Sequence, residues 1–540
     1  MEKANRYIAL LVIIFIAACQ SAPGGESTLT AVSPTISIPT TAPPATTEAT
    51  TAATDRPPAT AVSSPSSESM PPITFNWDDP EIYRAGLVAS AQDSLALLPT
   101  ATIYSMTLTI DPANARVGGQ QTIRYTNNHA ETLSEIYLHL FPNLLGGAIE
   151  ISDLRVDGTV VDWLYEQSDN SVLYIPLHGS LAPGAQSIIT LDFETAVPQD
   201  SGRNYGVFAL VDDVMTLAHF YPMVAVYDDQ GWHITPPVEF GDPTFAEASF
   251  YLVNLTAPSD QIIAGSGVTL EQTNNGRVQT QSIVAGPARD FYLALSPHYI
   301  AETLTIGDTT IHSYAPAEFR AGAQQAAEVA ANALDSFNAR LGAYPYTELD
   351  IVATPTLALG VEYPGIIAIT QREYDPDDPI SGNIPNSVYL ETTVAHEMGH
   401  QWFYNVVGND QLEEPWLDEA LAQYVTGLYY LDNYGRDAAQ SYETSWRDRW
   451  DRVNDEEIPI GLPVGAYEGA AYSAIVYGRG PLFVQTLAAQ MGQTEFDEFL
   501  KDYVSQNQWR IATTESFRTL AEAHCQCDLS SLFDEWVYPR

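Results

Sequence analysis

The sequence predicts an α+β fold, with an antiparallel β-sandwich in the first half and a mainly helical region with a small sheet in the second. Between residues 100 and 300, short segments alternate apolar and polar residues, which is the period of a half-buried strand. After residue 315, apolar residues recur at helical spacing instead. Strands first and helices after is the pattern of the α+β class. The chain has 540 residues, 45% of them hydrophobic, which is enough for two or three domains and a large core.

The N-terminus has the pattern of a secretory signal. Lys3 and Arg6 precede the apolar run YIALLVIIFIAA, which is too short to span a bilayer comfortably but suits a signal-peptide core. The run ends in IAAC, which resembles a bacterial lipoprotein signal, where cleavage before the cysteine frees it for lipid attachment. We therefore expect a signal peptide at residues 1–18 and lipid on Cys19. An ordinary secretory signal with a chance cysteine is the alternative, and both place the mature chain outside the cytoplasm.

Residues 19–72 predict a stalk. After Cys19 this stretch is dominated by Ser, Thr, Pro and Ala and has almost no large apolar residues, so it cannot bury a core of its own. We expect a lipoprotein on the cell surface whose only membrane contact is its lipid anchor. A secreted protein is the alternative.

Residues 73–299 predict the β-sandwich domain, led by a short helix at 79–97. In the segment YSMTLTI, the apolar residues from Tyr104 to Ile110 fall on one face and Ser and Thr fall on the other. Similar runs follow, separated by turn clusters such as DPANARVGG and TNNG. This density of short strands without helical intervals favours a sandwich.

Residues 300–540 predict the second domain. An alanine-rich helix at 319–342 comes first, and the strand-like segments ELDIVATP and YPGIIAIT follow it. Apolar spacing then predicts helices at about 387–406, 416–432, 436–451, 470–491, 494–506 and 513–524.

The charge of the chain excludes two classes of partner. Its 22 Lys and Arg stand against 68 Asp and Glu, for a formal net charge of −46. Such a surface repels the phosphates of nucleic acid and anionic lipid headgroups, so neither is expected to bind the folded part. The sequence does not indicate an oligomeric state.

The segment VAHEMGHQWFYNVVGNDQLEEPWLDEALAQY predicts a metal site. HExxH places His396 and His400 one helical turn apart, where both rings can reach one ion, with Glu397 beside it to act on a water. A second, antiparallel helix brings Glu419 to a third ligand position. Two His and one Glu leave a fourth position open, as in catalytic zinc sites, so we expect one Zn²⁺ per chain. The alternative is a pair of satisfied core histidines beside an ordinary acidic helix start.

The same segment resembles the zinc signature of the M1 family of metallo-aminopeptidases, gluzincins with the pattern HExxH-x18-E. The resemblance implies a thermolysin-like second domain with peptides as substrates and Glu397 as the general base. LALGVEYPGI is similar to the family's amine-binding segment, which implies that Gly360 and Glu362 bind substrate, with Glu362 anchoring the free α-amino group. AYSAIVYGRGPLF is similar to the segment whose tyrosine stabilises the oxyanion, which implies that role for Tyr477, with Tyr472 a weaker candidate nearby.

The chain departs from the family pattern in several places. Val361 and Tyr363 replace the residues that flank the family's glutamate, which puts substrate preference in doubt, and Arg479 keeps the charge of the family's lysine. A second amine-binding group from the sandwich domain is not recognisable, and Asp213 is only a guess. The chain ends at LFDEWVYPR, which predicts a short form with a more open site that accepts longer peptides.

Three functional hypotheses follow. The first is a zinc aminopeptidase that removes N-terminal residues from peptides outside the cytoplasm. The second is a zinc endopeptidase of the same superfamily, and the third is a non-catalytic surface binding module. Cys525 and Cys527 are compatible with a strained disulfide or with two buried thiols, and His524 beside them makes a second metal site a further alternative.

Overall fold

A computed structural model describes residues 79–539, apart from 203, 239, 382 and 383. The expected signal peptide, the stalk and Cys19 lie outside these residues. Within the described part of the chain, no helix is both long and apolar enough to cross a membrane.

The first half is built from strands, as the alternating pattern predicts. In chain order they are β1 (Ile103–Asp111), β2 (Arg116–Thr126), β3 (Leu133–His139), β4 (Ala148–Val156), β5 (Thr159–Val160), β6 (Leu164–Glu166), β7 (Val172–Leu181), β8 (Gln186–Ala196), β9 (Phe208–Val211), β10 (Val214–Leu217), β11 (Met223–Val224), β12 (Tyr227–Asp228), β13 (Gly231–Trp232), β14 (Ser249–Pro258), β15 (Ile262–Gly265), β16 (Val268–Asn274), β17 (Val278–Ala288) and β18 (Leu293–Ser296).

These strands form several sheets around a shared apolar core. An eight-stranded sheet has the order β16-β17-β14-β1-β2-β8-β4-β5, two four-stranded sheets have the orders β15-β18-β10-β9 and β11-β3-β7-β6, and β12 pairs with β13. Met106, Ile136, Ile189 and Met215, from three of these sheets, are all buried in one cluster. In β1 the apolar residues from Tyr104 to Ile110 point inward and Thr107 and Thr109 outward, so the predicted alternation is confirmed.

Two details of the first half differ from the prediction. β1 and β14 run parallel, with Ile103 opposite Phe250, so the sandwich is not wholly antiparallel. The long connection between these two strands allows a parallel pair, which a hairpin could not. The expected leading helix is two 3-10 segments, Pro80–Gly86 and Ala89–Leu97. They separate at extended Val88, whose N–H donates to the Pro345 carbonyl.

The second half begins with a five-stranded sheet in the order β19-β20-β21-β23-β22. Its strands and the helices of this half are β19 (Tyr299–Ile306), β20 (Thr309–Pro316), α1 (Arg320–Leu341), β21 (Glu348–Thr354), β22 (Gly360–Tyr363), β23 (Ile366–Thr370), α2 (Gln371–Tyr374), α3 (Asn386–His400), α4 (Trp416–Tyr434), α5 (Arg436–Trp450), α6 (Ala471–Ala474), α7 (Gly480–Met491), α8 (Gln493–Gln506), α9 (Thr514–Cys525) and α10 (Ser530–Trp536). The sheet, α1, α3 and α4 share the larger apolar core.

The helix predicted at 387–406 is shorter than expected: α3 ends at His400. Tyr404 has a φ of +113°, which no helix accommodates. Arg289, from the first half, fixes this bend: its Nε donates to the carbonyls of Tyr404 and Asn405, at 2.6 and 2.9 Å. The guanidinium also donates to the carbonyls of Ala246 and Arg510. Arg289 therefore ties the β-rich half to the chain that follows α3.

The helix predicted at 470–491 is interrupted. A π-helical segment, Ile475–Arg479, separates α6 from α7. Single π turns are rare in helices and occur frequently at functional sites. Two helices were not predicted: α2, which has four residues, and α10, which has seven, both short for recognition by periodicity.

Candidate active site

Helices α3 and α4 bring the three expected metal ligands together. Nε2 of His396 and Nε2 of His400 are 3.2 Å apart. Oε2 of Glu419 lies 3.3 Å from the first of these atoms and 3.4 Å from the second. Gly399 allows this approach, since a Cβ there would lie 3.0 Å from Val425 and 3.2 Å from Cα of Ala422. The two helices therefore pack with almost no space between them at the site.

The three atoms fit a zinc ion. Zn²⁺ binds imidazole nitrogen and carboxylate oxygen at about 2.0–2.2 Å, and tetrahedral geometry then spaces its ligands about 3.3–3.5 Å apart. All three side chains are buried, and Oε2 of Glu419 faces both Nε2 atoms without a well-formed hydrogen bond, which is expected of an oxygen that serves a cation. Two histidines and one carboxylate leave one position of a tetrahedron free, as in catalytic sites.

Other groups orient these ligands. Nδ1 of His400 lies 3.0 Å from the Phe403 carbonyl, so it donates to that oxygen and leaves Nε2 free to bind an ion. Tyr477 donates its hydroxyl proton to Oε1 of Glu419, which turns Oε2 toward the histidines. Gln423 lies beside Nδ1 of His396 at 3.4 Å.

The electrostatics of the pocket favour a positive charge between the helices. Burial opposes a charge on His400, but Glu362 and Glu419 outweigh it and raise the pKa of His400 well above its usual value. Burial also opposes a charge on Glu419 and would raise the pKa of its carboxyl group. His400 and His396 outweigh this effect and hold that pKa below its usual range. Burial lowers the pKa of His396 to about 4, so this ring is neutral.

Glu397 points into the same pocket, with Gly360 directly against it. A Cβ on Gly360 would lie 2.3 Å from Oε1 of Glu397, so only glycine leaves room for this carboxyl group. Oε2 of Glu397 is buried without a hydrogen-bond partner. Burial raises the pKa of Glu397 to about 8, which makes it a group that can take up and release a proton.

Glu362 lies on β22, at the edge of the five-stranded sheet, and is buried. Its Oε1 accepts a hydrogen bond of 3.2 Å from Nε2 of Gln411, and the same amide donates to Oδ2 of Asp418 at 2.8 Å. Burial and then Asp242 raise the pKa of Glu362 well above its usual value. The chain therefore holds several carboxyl groups close together, an arrangement that favours an incoming cation.

Tyr477 and Tyr472 lie together on the far side of the pocket. Their rings are 5.8 Å apart, and Tyr477 lies 6.2 Å from the ring of His396. Tyr477 belongs to the π segment, and its carbonyl accepts from Arg449 at 3.0 Å. Its hydroxyl reaches the metal ligands, whereas Tyr472 packs with its hydroxyl 3.2 Å from the position of a Cβ on Gly241. Of the two, Tyr477 is the one whose hydroxyl bonds Glu419.

Four residues of this site were not singled out from the sequence: Gln411, Asp418, Gln423 and Asp242. Asp242 precedes β14, and its pKa is raised well above the usual value by burial and then by Glu419 and Asp418, so its carboxyl group belongs to the same pocket. Asp213, which was guessed from the sequence as the second amine-binding group, does not fit that role. Its side chain is 75% exposed and pairs with exposed His298. A Gly-Asp-Pro turn gives no periodic signal that would point to Asp242.

The two cysteines at the end of α9 and just after it are joined to each other. Cys525 and Cys527 form a disulfide, the first of the two alternatives that the sequence left open. His524 pairs with Glu495 and Asp502, each at 3.2 Å. Among the described residues, the side-chain groups that could hold a metal ion are His396, His400 and Glu419, and an overlapping set of Glu362, His400 and Asp418. His524 belongs to neither.

Comparison with known proteins agrees with this geometry. Residues 325–536 match the model of the Peptidase family M1 domain. The chain is 25% identical over 316 residues to Aminopeptidase M1-B of Oryza sativa subsp. japonica, covering 55% of this chain and 34% of that protein. It is 24% identical over 409 residues to Aminopeptidase M1 of Arabidopsis thaliana, covering 68% and 45%. The chain thus spans less than half the length of these curated relatives.

Solved structures show the same fold. The M1 zinc metallopeptidase of Deinococcus radiodurans matches with a TM-score of 0.61 at 20% identity, covering 82% of this chain and 95% of that one. A mutant of that protein bound to a Tyr-Ser-Ala substrate matches equally well, with a TM-score of 0.61 at 20% identity over the same shares. The α+β prediction is confirmed by this shared fold.

Proposed function

We propose that this chain is a zinc-dependent aminopeptidase that removes N-terminal residues from peptides outside the cytoplasm. One observation carries the proposal: the two Nε2 atoms of His396 and His400 and Oε2 of Glu419 lie within 3.4 Å of one another. The names of the relatives, which are aminopeptidases, and the zinc and peptide named for the solved neighbours support it.

His396, His400 and Glu419 would hold the zinc ion. When bound, zinc supplies Lewis acidity toward the scissile carbonyl and acidifies a water molecule. Glu397 takes a proton from the attacking water and later gives it to the leaving amine, as a general base and then a general acid. The Tyr477 hydroxyl is the donor for the negative charge that develops on the carbonyl oxygen.

Glu362 makes this reaction specific for the N-terminal residue. A buried carboxylate that accepts one hydrogen bond from Gln411 has capacity left for the α-ammonium of a peptide. Asp242 and Asp418 are further carboxyl groups of the same pocket, and an incoming ammonium favours their charged forms. A peptide held in this way presents its first peptide bond to Glu397, whose carboxyl group fits against Gly360.

The location outside the cytoplasm rests on the sequence before the described residues. The basic start, the apolar run and Cys19 support a lipidated signal at residues 1–18, and the composition of 19–72 supports a stalk. Cys19→Ala tests the anchor. We expect the variant to leave the membrane fraction and to lose labelling by a radioactive fatty acid. Unchanged membrane association and labelling would contradict it.

The test of the function compares aminoacyl chromogenic substrates with acetylated peptides, with and without a chelator. We expect free-amine substrates to be cut, acetylated ones to resist, and the chelator to abolish turnover. Glu397→Gln should lower kcat by about 10²–10⁴-fold and keep its zinc. Glu391→Gln, on the same helix and bonded to Tyr429, is the matched control. Full activity of Glu397→Gln would refute the proposed base, and equal cleavage of acetylated peptides would favour an endopeptidase.

A further inference from the structure

A buried hydrogen-bond chain extends from His396 away from the proposed zinc position. Nε2 of Gln423 lies 3.4 Å from Nδ1 of His396. On its other side, Oε1 of Gln423 accepts a hydrogen bond of 2.6 Å from the hydroxyl of Tyr442. The exposed fractions of His396, Gln423 and Tyr442 are 5%, 0% and 1%, so water cannot replace any member of the chain.

Helix geometry places Gln423 at this point. It follows Glu419 by one turn of α4, and residues four apart on a helix lie on the same face. The turn that presents Glu419 to the ion therefore also presents an amide to the ring of His396. Tyr442 comes from α5, so a third helix also contacts the amide.

The ring of His396 can carry its proton on either nitrogen, and Gln423 faces one of the two. In the orientation described, the amide N–H group faces Nδ1, which must then accept, and the proton lies on Nε2, facing Glu419. An imidazole that binds an ion through Nε2 carries its proton on Nδ1 and donates it to an acceptor. A half-turn of the amide supplies that acceptor, because it exchanges Oε1 and Nε2. Tyr442 can serve either orientation, since its hydroxyl both donates and accepts.

We propose that Gln423 is a positioning residue for the metal centre, whose amide oxygen accepts the Nδ1 proton of His396 when zinc is bound. This inference rests on the proposed zinc site, but it concerns the affinity of the site and not the reaction. A metal-bound histidine with such a partner is held in one tautomer and one ring orientation, and loss of the partner costs about 10–100-fold in metal affinity.

Three variants test this role in the full-length protein, with the zinc dissociation constant measured by competition with a chromogenic chelator. Gln423→Leu removes the acceptor, and we expect zinc to bind about 10–100-fold more weakly. Gln423→Glu keeps an oxygen at the same point and should bind zinc at least as tightly as the wild type. Thr392→Val is the control: it removes a buried hydroxyl bonded to Tyr430 one turn before His396 on α3, and its zinc affinity should be unchanged.

Thermal unfolding of the metal-free variants separates positioning from packing. If Gln423 only filled the core, both variants would lower the melting temperature. Gln423→Leu and Gln423→Glu would then bind zinc with the same affinity. Wild-type affinity in Gln423→Leu, or equal weakening in Gln423→Leu and Gln423→Glu, would overturn the inference. Failure of the proposed function would look different, because the wild type would then bind no zinc, or bind it without cutting peptides.

Discussion

The backbone of Gly360 lies against the carboxyl group of Glu397, such that a Cβ on the glycine would be 2.3 Å from Oε1 and 2.7 Å from Cγ. Gly360 is the first residue of edge strand β22, and Glu397 lies on the helix that carries both histidines. The strand that is proposed to hold the substrate and the helix that is proposed to hold the base thus meet without a side chain between them.

Gly360→Ala is expected to lower kcat strongly while zinc remains bound. The new methyl group must displace the carboxyl group of Glu397, and misplacement by about 1 Å can cost on the order of 10²-fold in rate. Steady-state kinetics with an aminoacyl substrate and a zinc determination measure the two effects. Gly118→Ala is the control, because a Cβ there meets no atom within 4 Å. Wild-type kcat in Gly360→Ala would contradict the proposed role of Glu397.

Tyr477→Phe is expected to lower kcat by about 10²–10³-fold, the loss that follows removal of an oxyanion donor, with little change in KM. The hydroxyl that bonds Glu419 lies near the ligands, and phenylalanine keeps the ring contacts with Tyr472. Tyr472→Phe should have the smaller effect. If its loss of kcat exceeded that of Tyr477→Phe, the oxyanion role would belong to Tyr472 instead.

Gln411→Leu is expected to raise KM for free-amine peptides by about 10-fold, because Glu362 and Asp418 lose their shared donor and a hydrogen bond to a charged group contributes about 1.5–3 kcal/mol. Glu362→Gln should raise KM further. Gln324→Leu, which removes an amide bonded to Glu302 outside the site, is the control. Unchanged KM in both site variants would show that the amine is held elsewhere.

Glu373→Gln is expected to stabilise the protein at neutral and alkaline pH. Glu373 is buried, with Oε2 lacking a partner, and burial raises its pKa well above the usual value. The folded state therefore binds a proton that the unfolded state releases above about pH 4.3, and stability falls by up to about 1.4 kcal/mol per pH unit from there until the folded-state pKa is passed. Thermal unfolding from pH 4 to 9 should show this slope reduced in Glu373→Gln. Exposed Asp377→Asn should keep it, and identical slopes in wild type and Glu373→Gln would refute the prediction.

The order of strands and helices was predictable because both elements have a periodic signature. The alternation in β1 repeats over nine residues, and the apolar face of α1 repeats over several helical turns. An error of one or two residues in a boundary therefore does not change the type of element that is predicted. The parallel pairing of β1 with β14 was not predictable in this way, since a strand's own pattern does not name its partner. The bend after α3 was missed because Arg289, which binds its carbonyls, is more than a hundred residues away in the chain.

The cluster of His396, His400 and Glu419 was predictable from spacing, because the two histidines lie one turn apart on α3 and the glutamate lies in the first turn of α4. Gln411 and Asp242 were not, because their role depends on tertiary contacts alone. Gln423 lies inside the quoted motif, and its position one turn after Glu419 is a signal that could have marked it. Asp242 lies in a loop from the other half of the chain, where no periodicity places it.

The Arg289 contacts set a limit on how this protein can be divided. Its guanidinium spans from Ala246 to the carbonyls after α3, and a Cβ on Gly408 would lie 2.1 Å from its Cζ. The same bend contains Phe403, whose carbonyl accepts a hydrogen bond from Nδ1 of His400 and so orients that ring. A fragment that begins at residue 300 would lack Arg289, so these carbonyls would lose their donor and His400 its support. Any grafted or swapped version of the second half would therefore have to replace the contacts that the β-rich half supplies.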